Sequence, residues 1–326
     1  MNAPAASSRE GSLAIRVGIS ACLLGQEVRF DGGHKRDRYI TDTLGKFFEW
    51  VPVCPEVEMG LGTPRETLRL VGDPEAPRLV FAKRGEDQTA PMQAWAGSRL
   101  EVLARENLSG YVLKSDSPSC GMERVRVYRP SGIPSKDGVG IFARALMDRF
   151  PLLPVEEEGR LHDLPLRENF VERVFCYRRW RELVASGLTR GKLVAFHAAH
   201  KFLMLAHSPK HYTELGRLVA SAKQYSIKEL ESRYGELFMT GLKVKATAKK
   251  HTNVLQHILG YLKKELDARD KAELLSVIGD YYEGLVPLVV PVTLFKHHLA
   301  RIPVPYIQDQ VYLNPHPKEL MLRNHV

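Results

Sequence analysis

Apolar and polar positions divide the chain into two halves with different periods. In the first half, short apolar runs alternate with helical stretches. LAIRVGIS (13–20) reads as a buried strand, followed by Cys22 and a glycine-containing turn region, GQEVRFDGGHKRD. A helix is predicted around 42–49, and WVPVCPE (50–56) as a second strand that Pro55 ends. TLRLVG and RLVFA read as strand pieces. QAWAGSRLEVLARENL (93–108) has helical spacing, SGYVLKS returns to a strand, and a further helix is expected over 140–150. Alternation of this kind predicts an α/β domain with a mainly parallel, Rossmann-like sheet. A proline- and charge-rich stretch, PLLPVEEEGRLHDLPLR (151–167), breaks the pattern. Beyond it the period is helical almost throughout, from RENFVERVFCYRRWRELVASG to KAELLSVIGDYYEG, before an irregular tail with several prolines. The expected division is a disordered tail over 1–13, an α/β domain over 14–155, a linker over 156–167 and an all-α domain over 168–326.

Length supports two domains, since 326 residues suffice for two separate cores. The formal net charge is +9, unevenly placed. Residues 1–155 hold 21 Lys and Arg against 19 Asp and Glu; residues 156–326 hold 26 against 19, with eleven of the twelve histidines. The helical half is the basic half, which points to an anionic partner. The N-terminal stretch lacks the apolar core of a signal peptide. The most apolar later run, LVPLVVPVTLF (285–295), is about half a membrane span and contains Pro287 and Pro291, so no membrane role is expected. A cytoplasmic protein is the expectation. There, four cysteines suit ligand or catalytic roles better than disulfides.

Cys22, Cys54 and Cys120 each follow a strand-like run and sit in a turn with Pro or Gly. The carboxyl ends of parallel strands face one crevice, so the three thiols are free to converge there. Spacing alone leaves scattered buried thiols equally open, because no C-x-x-C pair is present. Convergent thiolates would suit a structural zinc only with a fourth ligand, for which His34 is the sole candidate in this half. A 4Fe-4S cluster on three cysteines would leave one iron open.

ISACLLG, VRFDGGHKRD, VCPEVEMGLGTPRE and LKSDSPSCG, in that order, resemble the 2-thiouracil desulfidase (TudS) family over about residues 14–150. The resemblance implies an enzyme with a 4Fe-4S cluster on Cys22, Cys54 and Cys120 that removes sulfur from thiolated pyrimidines without net redox change. Water must then attack the thiocarbonyl carbon, which calls for a general base. Glu56, two residues after Cys54, is the first choice, with Asp31 next among weaker carboxylates that include Asp37 and Asp116. Ser117 and Ser119 flank Pro118 and are candidate donors to base or cluster; as turn hydroxyls they would instead serve the backbone. Ser20, beside Cys22, is a substrate-contact candidate, and His34, Lys35 and Arg36 form a basic group for a substrate phosphate.

In the helical half, Lys243, Lys245, Lys249 and Lys250 cluster before a helix, and Arg178 and Arg179 lie in YRRWRE. Together they predict phosphate contacts. His197 and His200 lie three apart, with no third metal ligand nearby; a basic face or a core edge suits them better. Cys176 reads as a buried thiol. The ending DQVYLNPHPKELMLRNHV and the helical pattern resemble the YbgA-like domain. Fusion of the two resembles RudS-type tRNA 4-thiouridine desulfidases, which implies tRNA as partner and uridine plus sulfide as products. Two rivals stand beside that expectation: a desulfidase of free thiouracil or thionucleosides, and a non-catalytic Fe-S nucleic-acid-binding redox sensor.

Overall fold

A computed structural model of the chain describes residues 15–129 and 133–325. The tail expected over 1–13 lies outside them. The chain forms two compact units that meet in sequence between Leu146 and Met147.

In the first unit, β1 (Ile15–Ser20) lies between β2 (Phe48–Val53) and β5 (Gly110–Leu113), and both pairings are parallel. The apolar centres of β1 and β5 follow from burial on both faces: Val17, Ile19, Tyr111, Val112 and Leu113 are fully buried. Gly18 is required there, because a Cβ would meet the Tyr111 ring at 2.2 Å. Crossovers come from α2 (Thr89–Ala104) and α3 (Ile141–Arg149), which cover the sheet with Met92, Leu100, Leu103 and Phe142. The mainly parallel α/β architecture expected from the alternation is the one observed.

A second sheet was not legible. The hairpin β3 (Leu68–Val71) and β4 (Arg78–Phe81) joins β6 (Val125–Tyr128) and β7 (Pro134–Gly138) in the order β4-β3-β6-β7, with only the β3–β6 pair parallel. Two further local readings change. Residues 42–49 hold no regular helix, only a π-helical turn (Tyr39–Thr43), a 3-10 turn (Leu44–Lys46) and the start of β2. Pro55 also opens α1 (Pro55–Glu58), because a proline at the first helical position loses no hydrogen bond.

The second unit contains a short strand, β8 (Val155–Glu157), and then helices. These are α4 (Leu164–Ala185), α5 (Arg190–His207), α6 (Pro209–Ala220), α7 (Ile227–Lys243), α8 (Ala248–Leu262), α9 (Ala268–Tyr282), α10 (Val289–Arg301) and α11 (Pro305–Gln308). Asp163, Thr189, Ser208, Ser226, Thr247 and Asp267 cap α4 to α9 by accepting a backbone N–H. These are the residues whose short oxygens satisfy first-turn amides. The proline-bearing tail folds inward as 3-10 turns that bury Tyr312, Leu313, Leu320 and Arg323. Among the described residues, no helix is long and apolar enough to cross a membrane.

Candidate active site

The site grows from the carboxyl ends of three neighbouring parallel strands. Ser20 ends β1 level with Val53 of β2, and Ile19 stands opposite Val112 of β5. Cys22 follows in a 3-10 turn (Ala21–Leu24) whose carbonyl oxygen accepts from Gly25 and Lys35 amides. Cys54 is the residue after β2 and the first cap position of α1. Cys120 lies in the loop after β5. Its amide donates to the Ser117 hydroxyl at 3.1 Å. The start of α3 clamps this loop: Ile141 N donates to the Pro118 carbonyl, and Phe142 N and Ala143 N to that of Ser119. These first-turn amides have no partner inside their own helix. Gly140 permits the close approach, since a Cβ there would sit 2.6 Å from the Ser119 backbone.

Cys22, Cys54 and Cys120 line one cavity of about 340 Å³, with Ser20, Lys35 and Glu56. Cys22 and Cys120 are buried and Cys54 is half-buried. Burial raises the Cys54 thiol above the ordinary range, and the charge of Glu56 adds to it. Burial does the same to Cys120, more strongly, against a hydrogen bond from Ser20. Thiols held neutral by burial give up their protons on metal binding.

Glu56 enters the same cavity on α1, and its orientation is fixed at both oxygens. Ser119 Oγ, fully buried, donates to Oε1 at 2.8 Å. Arg65 donates to Oε2 from Nε at 2.9 Å and Nη2 at 2.6 Å. The Arg65 side chain is 5% exposed and that of Glu56 15%, so the pair is shielded from water. Arg65 is also tied to the Val28 and Gly62 carbonyls at 3.0 and 2.8 Å. Sequence reasoning missed Arg65 as a site residue. Its signal lay in the same TPRE motif, but nothing local says that a residue nine positions on reaches back to Glu56.

The other expected residues divide. Ser117 lines the same cavity, and its Oγ accepts from the Ser119 and Cys120 amides as a turn hydroxyl does. Ser20 Oγ accepts from Lys114 N at 3.0 Å. Asp31 does not line the cavity; it accepts from Gly33 N at 3.0 Å, which holds its carboxyl below the usual range, and faces Arg29. His34 is exposed and accepts from Arg36 N through Nδ1, so it brings no fourth ligand to the thiols. Arg36 pairs with Asp42 at 2.8 Å, whereas Lys35 reaches the cavity wall.

The profile of the 2-thiouracil desulfurase family matches residues 17–158. Over 47% of this chain and 97% of its own, a solved 4Fe-4S-dependent thiouracil desulfidase, TudS, is 33% identical, with a TM-score of 0.38. The chain belongs to the 2-thiouracil desulfurase family. To this family domain the chain joins a second: the profile of a family described as a protein of unknown function, DUF1722, matches residues 201–317. The uncharacterized protein YbgA of Escherichia coli (strain K12) is 32% identical over 153 residues, 47% of this chain and 90% of its own. The uncharacterized protein YbbK of Bacillus subtilis (strain 168) is 32% identical over 108 residues, 32% of this chain and 71% of its own. Both resemblances read from the motifs thus hold, as a desulfurase-family domain followed by a YbgA-like one.

Within the YbgA-like unit, the basic residues separate by what they already bond. Arg178 pairs with Glu182, and Arg179 donates to the Pro315 carbonyl at 2.6 Å. Lys250 Nζ donates to the His207 and Lys245 carbonyls at 2.7 and 3.1 Å. Lys243, Lys245 and Lys249 are exposed. His197 and His200 are engaged separately, with Tyr234 OH and with the Phe196 carbonyl, and burial takes His200 down to about 3. Cys176 is fully buried in this unit, and burial pushes its thiol up to about 12.

Proposed function

We propose that this protein removes sulfur from 4-thiouridine in tRNA, giving uridine and sulfide without net redox change. The observation that carries the reading is the convergence of three thiols and an anchored carboxylate on one cavity. Cys22, Cys54 and Cys120 would hold a 4Fe-4S cluster, a group that suits the all-thiol donor set lining this cavity. When bound there, the cluster supplies an iron without a protein ligand, a soft Lewis acid for a thiocarbonyl sulfur. Glu56 takes a proton from the water that attacks the thiocarbonyl carbon; oxygen from water replaces sulfur, which leaves as sulfide. Arg65 and Ser119 hold the carboxylate still, so that one oxygen edge stays aimed into the cavity. Lys35 at the wall receives a phosphate of the substrate nucleotide.

The desulfidase part is assigned to 14–155 and RNA docking to 168–326, with 156–167 as linker, in a cytoplasmic protein. The charge asymmetry supports docking, since folded RNA is bound largely through phosphates. A second reading, desulfuration of free thiouracil, is favoured by the cavity volume, which suits one base and needs no RNA. Sulfide release decides between them: anaerobically purified, cluster-loaded protein is given thiolated tRNA, 4-thiouridine or 2-thiouracil. The tRNA reading expects turnover on tRNA at the highest kcat/KM; turnover only on the free base overturns it, and no release from any substrate leaves the redox-sensor rival. Cys22→Ser, Cys54→Ser and Cys120→Ser should each lose the brown cluster absorbance, and Cys176→Ser should retain it.

A further inference from the structure

Glu168 and Glu172 lie one turn apart on α4, with side chains 10% and 4% exposed. Glu172 is used at both oxygens: it accepts from His207 Nε2 and, at 3.4 Å, from Arg323 Nη2. Glu168 is not. Arg323 Nε donates to its Oε1 at 3.2 Å, and among the described residues no hydrogen bond reaches its Oε2. Burial raises this carboxyl to about 7; Arg323 opposes the rise and Glu172 adds to it. Oε2 is not among the buried side-chain atoms left without a partner, so it keeps accessible surface beside the cavity that Glu168 lines and is open to a donor that enters there.

Glu168 lines a cavity of about 290 Å³ with Asn169, His251 and Tyr281. Asn169 gives its amide N–H to the Leu242 carbonyl at 2.9 Å, which leaves its oxygen to accept. The interior is thus rich in acceptors. Exposed Lys245 and Thr247 also line the cavity, and Thr247 caps α8, whose first amides favour an anion. The volume is at the low end for small-molecule pockets, roughly 300–1,000 Å³, and suits one nucleobase.

We propose that this cavity binds one guanine nucleotide, with Glu168 and Asn169 accepting from the adjacent N1–H and 2-amino donors and the phosphate at Lys245. Guanine fits because it is the common base with two donors side by side on one edge; uracil has one, and adenine and cytosine set an amino group beside a ring acceptor. The chemistry is the same for a free guanine nucleotide and an unpaired guanosine in RNA; only the second source rests on the tRNA reading above.

Calorimetric titration of the full, cluster-loaded chain with GMP, IMP, AMP, CMP and UMP tests this. GMP should bind tightest. IMP, which keeps N1–H but lacks the 2-amino group, should bind about 5- to 100-fold more weakly, the cost of leaving one buried acceptor without its donor. Glu168→Gln should lose GMP affinity by a similar factor, and Lys245→Ala should weaken GMP while leaving guanosine unaffected. Displacement of GMP by tRNA assigns the occupant to RNA; lack of displacement assigns it to the free nucleotide. The proposal is overturned if no nucleotide binds at millimolar concentration, if IMP and GMP bind alike, or if Glu168→Gln binds GMP as the wild type does. Should Glu168→Gln melt as an unfolded chain, the GMP–IMP comparison and Lys245→Ala still decide. Sulfide release measured in parallel separates this outcome from the fate of the desulfidase reading.

Discussion

Arg65→Ala tests how the Glu56 carboxylate is held in the cavity. Arg65 meets Glu56 Oε2 with two N–H groups at 2.9 and 2.6 Å, inside a site where the two side chains are 5% and 15% exposed. Removing the guanidinium leaves the carboxylate with Ser119 as its remaining hydrogen-bond donor, in surroundings that water enters poorly. Loss of one partner from a buried ion pair costs roughly 3–5 kcal/mol. For a unit of about 150 residues, roughly 2–4 °C of melting temperature goes with each kcal/mol, so a fall of about 10 °C is expected. The assay is differential scanning calorimetry, fitted as two transitions because a two-unit chain does not melt in one step. If the uncompensated charge is the cause, Arg65→Ala combined with Glu56→Ala should be more stable than Arg65→Ala alone, with coupling of about 1–3 kcal/mol. Arg65→Lys should fall between, since it keeps the charge without the planar fork. A double variant no more stable than the single one would refute the reasoning and reduce Arg65 to a packing residue.

Gly140→Ala should displace the Cys120 loop, because its Cβ would lie 2.6 Å from the Ser119 backbone; overpacking of this kind costs roughly 1–3 kcal/mol, and iron per chain should fall, whereas full iron content would show that the loop yields without consequence. On the tRNA-docking proposal, Lys249→Ala should weaken tRNA binding and lower the salt slope by about 1, while Lys250→Ala, whose ammonium joins the His207 and Lys245 carbonyls, should mainly lower the melting temperature; filter binding at several salt concentrations separates them, and no tRNA binding at all would overturn the docking proposal. Glu168→Gln should stabilise the helical unit more at pH 8 than at pH 5. Its folded carboxyl, raised to about 7 by burial, holds a proton that the unfolded chain releases near 4.5, so the stability this one group contributes falls between those values and is lost above 7, while glutamine never incurs that loss. Neighbouring Glu172 does not mask this: burial pushes it up, but His207 and Arg323 pull it to about 2, below the tested window. Equal shifts in melting temperature at both pH values would contradict the assignment.

Much of this was present in the order of residues alone. Runs such as VGI (17–19) and YVL are apolar at every position, a pattern that central parallel strands need, and the cap residues Thr189, Ser208, Ser226, Thr247 and Asp267 mark helix starts through contacts only three positions long. These are local constraints, so local sequence expresses them. The motifs around Cys22, Cys54 and Cys120 were legible for a related reason, since each combines a strand end with a turn. What required the tertiary structure is whatever depends on chain closure over long separations. Ser119 reaches Glu56 across 63 positions, and α3 clamps the Cys120 loop only because Gly140 lets two backbones meet. The second sheet stayed hidden because its strands are four or five residues long, and the parallel β3–β6 pair that unites them sets Leu70 against Val127 in a distant segment. The same holds for the charged side chains: Asp31, Arg36 and Lys250 were plausible site residues by type, yet a charge next to a motif is free to bond whatever the fold brings near. Arg323, 155 positions from Glu168, shows the converse, since only folding could set a tail arginine beside a buried acid and leave one of its oxygens open.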